Sequence, residues 1–177
     1  KLSLESMANQ TVLPKEIVLV EDGPLTDELY AVIEQFKQSS EKNAQMLKVV
    51  PLEKNMGLGN ALNIGVNECS CELIARMDTD DIAKPDRCEK QLKAFEDDPQ
   101  LDICGTFIEE FEGSVDNIVS ERKLPCSHEE LLSFSKKRNP FNHMTVMYKK
   151  SAVLKAGNYQ EINLFEDYYL WARMIVN

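Results

Sequence analysis

The chain has 177 residues, 43% of them hydrophobic and 28% charged, with a formal net charge of -10 and a pI near 4.8. That length sets one domain, or part of one, able to bury its own core. The acidic balance argues against general nucleic-acid binding, no stretch approaches the ~20 apolar residues of a membrane span, and no secretory signal opens the chain.

In chain order, "KLSLESMANQT" starts without a methionine and reads as the middle of a helix, as a fragment would. "EIVLVED" (Glu16 to Asp22) is a β-branched run closed by acid and glycine, the signature of a buried parallel strand at its carboxyl edge. Leu29, Val32, Ile33 and Phe36 then follow helical spacing, with Thr26 as N-cap and Asp27 and Glu28 in the first turn. "MLKVVPLE" (Met46 to Glu53) predicts a second strand, "NMGLGN" a glycine loop, Ala61 to Glu68 a short helix and "ELIARMD" (Glu72 to Asp78) a third strand. Pro85 suits a first helical position, ahead of an apolar stripe of Cys88, Leu92 and Phe95. "DICGTFIEEF" (Asp102 to Phe111) predicts a strand and "IVSERKLP" an extended piece, and Ser127 with Glu130 makes a capping box for "SHEELLSFSKK". "HMTVMY" reads as a strand, "KSAVLKAG" as a helix stopped by Gly157, and "EDYYLWARMIVN" as a final helix. The alternation implies an α/β fold, Rossmann-like, with a mostly parallel central sheet and helices on both faces. There is no internal repeat, low-complexity tract or linker. The five cysteines, Cys69, Cys71, Cys88, Cys104 and Cys126, are odd in number and lack paired C-x-x-C spacing, which disfavours a disulfide framework or zinc site and fits a reducing cytoplasm.

In such sheets ligands bind beyond the carboxyl ends of the strands. "VEDG" and "RMDTDD" both place acids there. Carboxylates at that edge can accept from ribose hydroxyls or base N–H groups, or hold magnesium or manganese with substrate phosphates completing the shell. A calcium loop is excluded: in a twelve-residue frame starting at Asp78, Ala83 stands where the invariant glycine belongs and Ile82 where an oxygen ligand is usual. Read alone, the run Asp78, Asp80, Asp81 is equally a solvated acidic turn capping the next helix.

The set "EIVLVEDG", "NMGLGNALNIGV", "ELIARMDTDDIAKPDR", "NPFNHMTVMYKKSAVLKAGNY" and "EDYYLWARM", in this order, closely resembles the family 2 glycosyltransferases. These are inverting, nucleotide-sugar-dependent enzymes of the GT-A fold. The resemblance implies a single catalytic domain over 1–177, short of a first strand at one end and of acceptor-covering segments at the other. It points to Asp22, with Glu21 beside it, at the nucleotide base; to Asn55 and Gly57 in the nucleotide loop; to Asp78 at the ribose; to Asp80, with Asp81, at Mn2+ or Mg2+; and to Asp167 as catalytic base. His143, Glu166 and Trp171 become candidates for donor sugar or acceptor. The implied partners are a nucleotide-sugar, UDP-linked, and a glycan or lipid-linked acceptor of cell-surface polysaccharide assembly, with peripheral membrane association through regions outside the chain and a cytoplasmic, inner-face location.

Each residue also has a plainer reading. Asp22 can end a strand in a turn, Glu166 and Asp167 can serve the helix dipole, Gly57 and Gly59 can form a tight turn, and His143, Tyr168 and Trp171 can be core. Two departures from the family stand out: no "P-x-Y-N"-like strand precedes Lys1, and Leu62 occupies a position where many members carry an arginine near the diphosphate, leaving Lys54, Arg76 or Arg87 as substitutes. A sugar nucleotidyltransferase and a non-catalytic nucleotide-binding domain are the competing classes.

Overall fold

The computed structural model describes residues 1–176. The opening segment is helical, as α1, Leu2–Ala8. The first β-branched run forms β1, Ile17–Glu21, paired in parallel with β2, Leu47–Pro51, from Ile17↔Leu47 to Glu21↔Pro51. Parallel neighbours need a crossover. Here it is α2, Asp27–Ser39, followed by α3, Glu41–Met46. Thr26 is the N-cap of α2, but the buried stripe is narrower than its spacing suggests: Ile33 and Phe36 are buried, whereas Leu29 is 50% exposed. α3 was hidden in the approach to a strand; the Ser40 side chain accepts the Asn43 N–H, and Met46 ends the helix instead of opening β2.

α4, Leu58–Glu68, returns the chain across β1 to β3, Leu73–Ala75. Gly65 permits this approach, since a Cβ there would lie 3.2 Å from Val20 Cγ2. α5, Arg87–Asp97, starts later than Pro85 suggests, with Asp86 as N-cap. Its buried side is Arg87, Cys88, Gln91 and Phe95; the two polar members face backbone carbonyls and so can be buried.

The predicted strand Asp102–Phe111 splits into β4, Ile103–Cys104, and β5, Ile108–Phe111, which belong to different sheets. At the break the Thr106 N–H is taken by Thr145 Oγ1, 2.9 Å away, and so leaves the ladder. β5 forms an antiparallel hairpin with β6, Ile118–Arg122, bulged at Glu110/Phe111. α6, His128–Ser135, has the expected capping box. The "HMTVMY" strand begins instead as a 3-10 turn, His143–Thr145, because the Thr145 hydroxyl donates to Asn142 O at 2.8 Å and curls the chain. Only then comes β7, Met147–Lys149, antiparallel between β3 and β4. α7, Lys150–Lys155, precedes Gly157 at φ +88°, and α8, Glu166–Val176, closes the described chain. Within this mixed α/β arrangement, parallel pairing is at β1–β2 and antiparallel pairing at β3–β7–β4.

The main core surrounds Trp171, with Phe141, Tyr148, Tyr159 and Leu170, and Val66 from α4. A second cluster joins α1, α2 and α3 to the β1–β2 pair through Ala8, Ile33, Phe36, Met46 and Leu47. Among the described residues no helix is long and apolar enough to cross a membrane.

Candidate active site

β1 delivers Glu21 and Asp22 to the carboxyl edge of the parallel pair. Glu21 is buried, and its carbonyl accepts the N–H groups of Gly23 and Leu52. Gly23, at φ +95°, brings the two loops together: a Cβ there would sit 2.7 Å from Asn55 N. Asp22 then accepts the Met56 N–H at 2.6 Å on Oδ1 and the Gly57 N–H at 3.1 Å on Oδ2. The Asn55 side chain also accepts from Gly57 N, at 3.1 Å, and Gly57, at φ +84°, is the N-cap of α4. Asp22, Asn55 and Gly57 thus form one bonded loop pair, to which Asp78 does not belong.

Beyond β3 the chain enters the acidic run. Asp78, Asp80 and Asp81 each bring one carboxylate oxygen within 4.8 Å of the others. Burial, then the neighbouring charges of Asp78 and Asp80, raises the pKa of Asp81, against the opposing pull of Arg76 and Arg87. Part of the repulsion is already met: Arg76 Nη1 lies 2.5 Å from Asp78 Oδ2, with the arginine buried and the aspartate about a third exposed. Both residues lie just past the end of β3. The hard oxygen donors at this spacing fit a divalent cation such as Mn2+ or Mg2+, with Asp80 and Asp81 free of ion pairs among the described residues. A cavity opens beside them, lined by Ser3, Thr79, Ile82 and Phe111. A larger cavity of about 490 Å³ lies between β4, α6 and α8, and none of the expected site aspartates lines it.

The shape of this acid loop comes from α1 and the residues after it. Ser3 Oγ donates to Asp78 O at 2.8 Å, Ser6 Oγ accepts from Ala83 N at 3.1 Å, and Gln10 donates to Lys84 O at 2.9 Å while accepting from Cys88 N at 2.9 Å. From the other side Arg87 donates to Arg76 O at 2.6 Å and to Val146 O at 3.3 Å.

Asp167 lies in the first turn of α8, 9% exposed, next to half-buried Glu166. Its Oδ2 accepts from Asn139 Nδ2 at 2.5 Å and its Oδ1 from the Tyr168 N–H at 2.6 Å. His143 Nδ1 stands 3.9 Å from Oδ2, and Nε2 is 3.1 Å from the Tyr159 hydroxyl. Burial, aided by Arg76, pushes the His143 pKa down to about 3. Arg76 is paired with Asp78 and is also felt at His143, beside Asp167.

One expectation needs correcting. Trp171 is fully buried, edge-on to Phe141 and Tyr159, and stands behind the wall of the larger cavity instead of on an open acceptor surface. Its bulk is the centre of the core. The motif that carries His143 also carries Asn139, the residue that bonds Asp167, and of the candidate cations it is Arg76 that pairs with Asp78; no local sequence pattern marks either contact. Among the described residues Lys54 has no ion pair, and Arg87 is spent on backbone carbonyls.

Residues 1–162 match the profile described as glycosyl transferase family 2. An amylovoran biosynthesis glycosyltransferase, AmsE, of Erwinia amylovora is 44% identical over 97% of this chain and 62% of its own length. A UDP-Gal:alpha-D-GlcNAc-diphosphoundecaprenol beta-1,3-galactosyltransferase of Escherichia coli is 37% identical over 99% of this chain and 62% of its own. The chain thus spans about three-fifths of the length of the curated relatives it matches. Among solved structures, the mannosyltransferase PcManGT of Pyrobaculum calidifontis, in complex with GDP-Man and Mn2+, superposes with TM-score 0.70 at 15% identity, over 97% of this chain and 46% of that one. Staphylococcus aureus TarS 1-349 superposes with TM-score 0.68 at 24% identity, over 99% and 51%. The fold is therefore GT-A, and the chain belongs to glycosyl transferase family 2.

Proposed function

We propose that this chain is the donor-binding and catalytic part of an inverting, metal-dependent glycosyltransferase. It moves a hexosyl or N-acetylhexosaminyl group from a UDP-sugar to a glycan or lipid-linked acceptor in cell-surface polysaccharide assembly. The observation that carries the reading is the cluster Asp78, Asp80 and Asp81 at the end of β3, backed by Arg76. The UDP donor and lipid-linked acceptor are drawn from the name of the Escherichia coli relative, and polysaccharide assembly from that of the Erwinia relative. A lipid-linked acceptor would bring the enzyme to the inner face of the membrane as a peripheral protein.

In this reading Asp22, Glu21, Asn55 and Gly57 frame the nucleotide base, Asp78 meets the ribose, and Asp80 with Asp81 holds Mn2+ or Mg2+. Held there, such a cation would supply Lewis-acid neutralisation of the charge on the departing diphosphate. Asp167 takes the proton of the acceptor hydroxyl as its oxygen bonds to the anomeric carbon; the bond from that carbon to the diphosphate oxygen breaks on the opposite face, and the configuration inverts. His143 and Glu166 sit close enough to Asp167 to shape the acceptor side.

Transfer assays on the full-length protein with UDP-sugars and Mn2+ or Mg2+ test this. Asp80→Ala is expected to lose metal-dependent turnover and Asp167→Asn to lose transfer while still binding nucleotide. Wild-type turnover in Asp167→Asn would overturn the base assignment, and a wild type that binds no nucleotide-sugar would favour a non-catalytic domain.

A further inference from the structure

The His143 ring stands between Asp167 and Tyr159, with one nitrogen toward each. A neutral imidazole carries one proton, and the partner of one nitrogen decides the state of the other. Burial keeps this ring neutral wherever a carboxylate base is charged, and burial likewise raises the Tyr159 hydroxyl well above its ordinary pKa, so it remains an O–H donor. Were the imidazole proton on Nε2, the Nδ1 lone pair would face those of Asp167 Oδ2. With Tyr159 donating to Nε2, the proton sits on Nδ1 and is directed at the carboxylate. At 3.9 Å the facing pair is not a hydrogen bond. It is a dipole of favourable sign, able to close to bonding distance when substrates tighten the site. Asn139 already donates to the same Oδ2, which leaves Oδ1 with the Tyr168 N–H as its partner among the described residues.

We propose that Tyr159 is a positioning residue for sugar transfer: its hydroxyl sets the Nδ1–H form of His143, which together with Asn139 holds Asp167 Oδ2 and leaves Oδ1 to take the acceptor proton. The inference rests on Asp167 as the base. Charged and titratable neighbours of this group are Arg76, just past β3, and Tyr148 from β7, whose hydroxyl is a second hydrogen-bond partner of the Tyr159 hydroxyl; the proposal assigns the Tyr159 proton to Nε2, 3.1 Å away.

The test uses the full-length protein. Tyr159→Phe keeps the ring in the core but frees the tautomer, and kcat is expected to fall roughly tenfold with donor KM unchanged. In a His143→Asn background, where no tautomer exists, adding Tyr159→Phe is expected to change kcat less than about twofold. 15N chemical shifts of His143 are expected to report Nδ1–H in the wild type and a shift toward Nε2–H in Tyr159→Phe, whose wild-type spectral dispersion elsewhere certifies folding. Nε2–H in the wild type, wild-type kcat in Tyr159→Phe, or an equal loss in both backgrounds would overturn the proposal. If Asp167→Asn turns over normally, the base reading fails; if it is inactive while Tyr159→Phe is normal, the base stands and the positioning role fails.

Discussion

The Asp22 carboxylate and the Gly57 N–H, 3.1 Å apart, tie the end of β1 to the start of α4, and the Met56 N–H completes the clasp at 2.6 Å. An aspartate that sequence alone could assign to a turn or to a ligand is thus also a structural part of the loop. Asp22→Asn turns one acceptor oxygen into a donor facing an N–H. The expected cost is about 1–2 kcal/mol of stability, read by urea unfolding, together with a roughly tenfold weaker nucleotide affinity in titration calorimetry. Unchanged stability with lost affinity would make Asp22 a ligand alone.

Gly59 is a packing requirement of a different kind. A Cβ there would lie 2.5 Å from Gln160 O, a backbone atom that cannot swing away. Gly59→Ala is expected to cost about 1–3 kcal/mol. Gly113→Ala meets nothing within 4 Å and bears only the strain of φ +74°, about 1 kcal/mol. Paired thermal melts check the ranking.

Arg87 uses a planar fork that lysine lacks: Nη2 serves Arg76 O and Val146 O, and Nε serves Gln91 Oε1 at 2.9 Å. Arg87→Lys keeps the charge and strands buried acceptors, so a loss of about 1–3 kcal/mol is expected in chemical unfolding.

His143 makes stability depend on pH. Its pKa is near 6.5 unfolded and about 3 folded, so between those values the unfolded chain binds the proton and the native one does not. Stability therefore falls as pH drops through that window, by at most about 1.4 kcal/mol per unit from this group. His143→Gln is expected to show a shallower acid-side decline in urea midpoints measured from pH 7 to pH 4.

The elements that sequence conveyed were those built from local signals: the β-branched run of β1, the capping box at Ser127, the stop at Gly157, and the position of Thr26 at the start of α2, where its side chain makes no capping bond. What it concealed depends on distant partners. The Asp102–Phe111 strand breaks because Thr145, 39 residues away, takes the Thr106 N–H. The polar members of the α5 stripe are buried because Arg87 reaches Val146, 59 residues on, and Gln91 reaches Thr145, 54 residues on. Asn139 finds Asp167 across 28 residues. The carboxylates were visible by type and strand position; the groups that orient them were not, since a hydrogen bond between remote residues leaves no periodicity to read.

The clasp of α1 on the acid loop bears on the order of folding. Its bonds join residues 75, 74, 77 and 78 positions apart. Loops of that length close only after much chain entropy has been lost, and contacts of high separation form slowly. By the same reasoning the acid loop takes its working shape later than the β1–β2 pair, whose partners such as Ile17 and Leu47 are far closer in sequence. A nascent or partly refolded chain would hold its local helices and hairpin before it held a competent metal site.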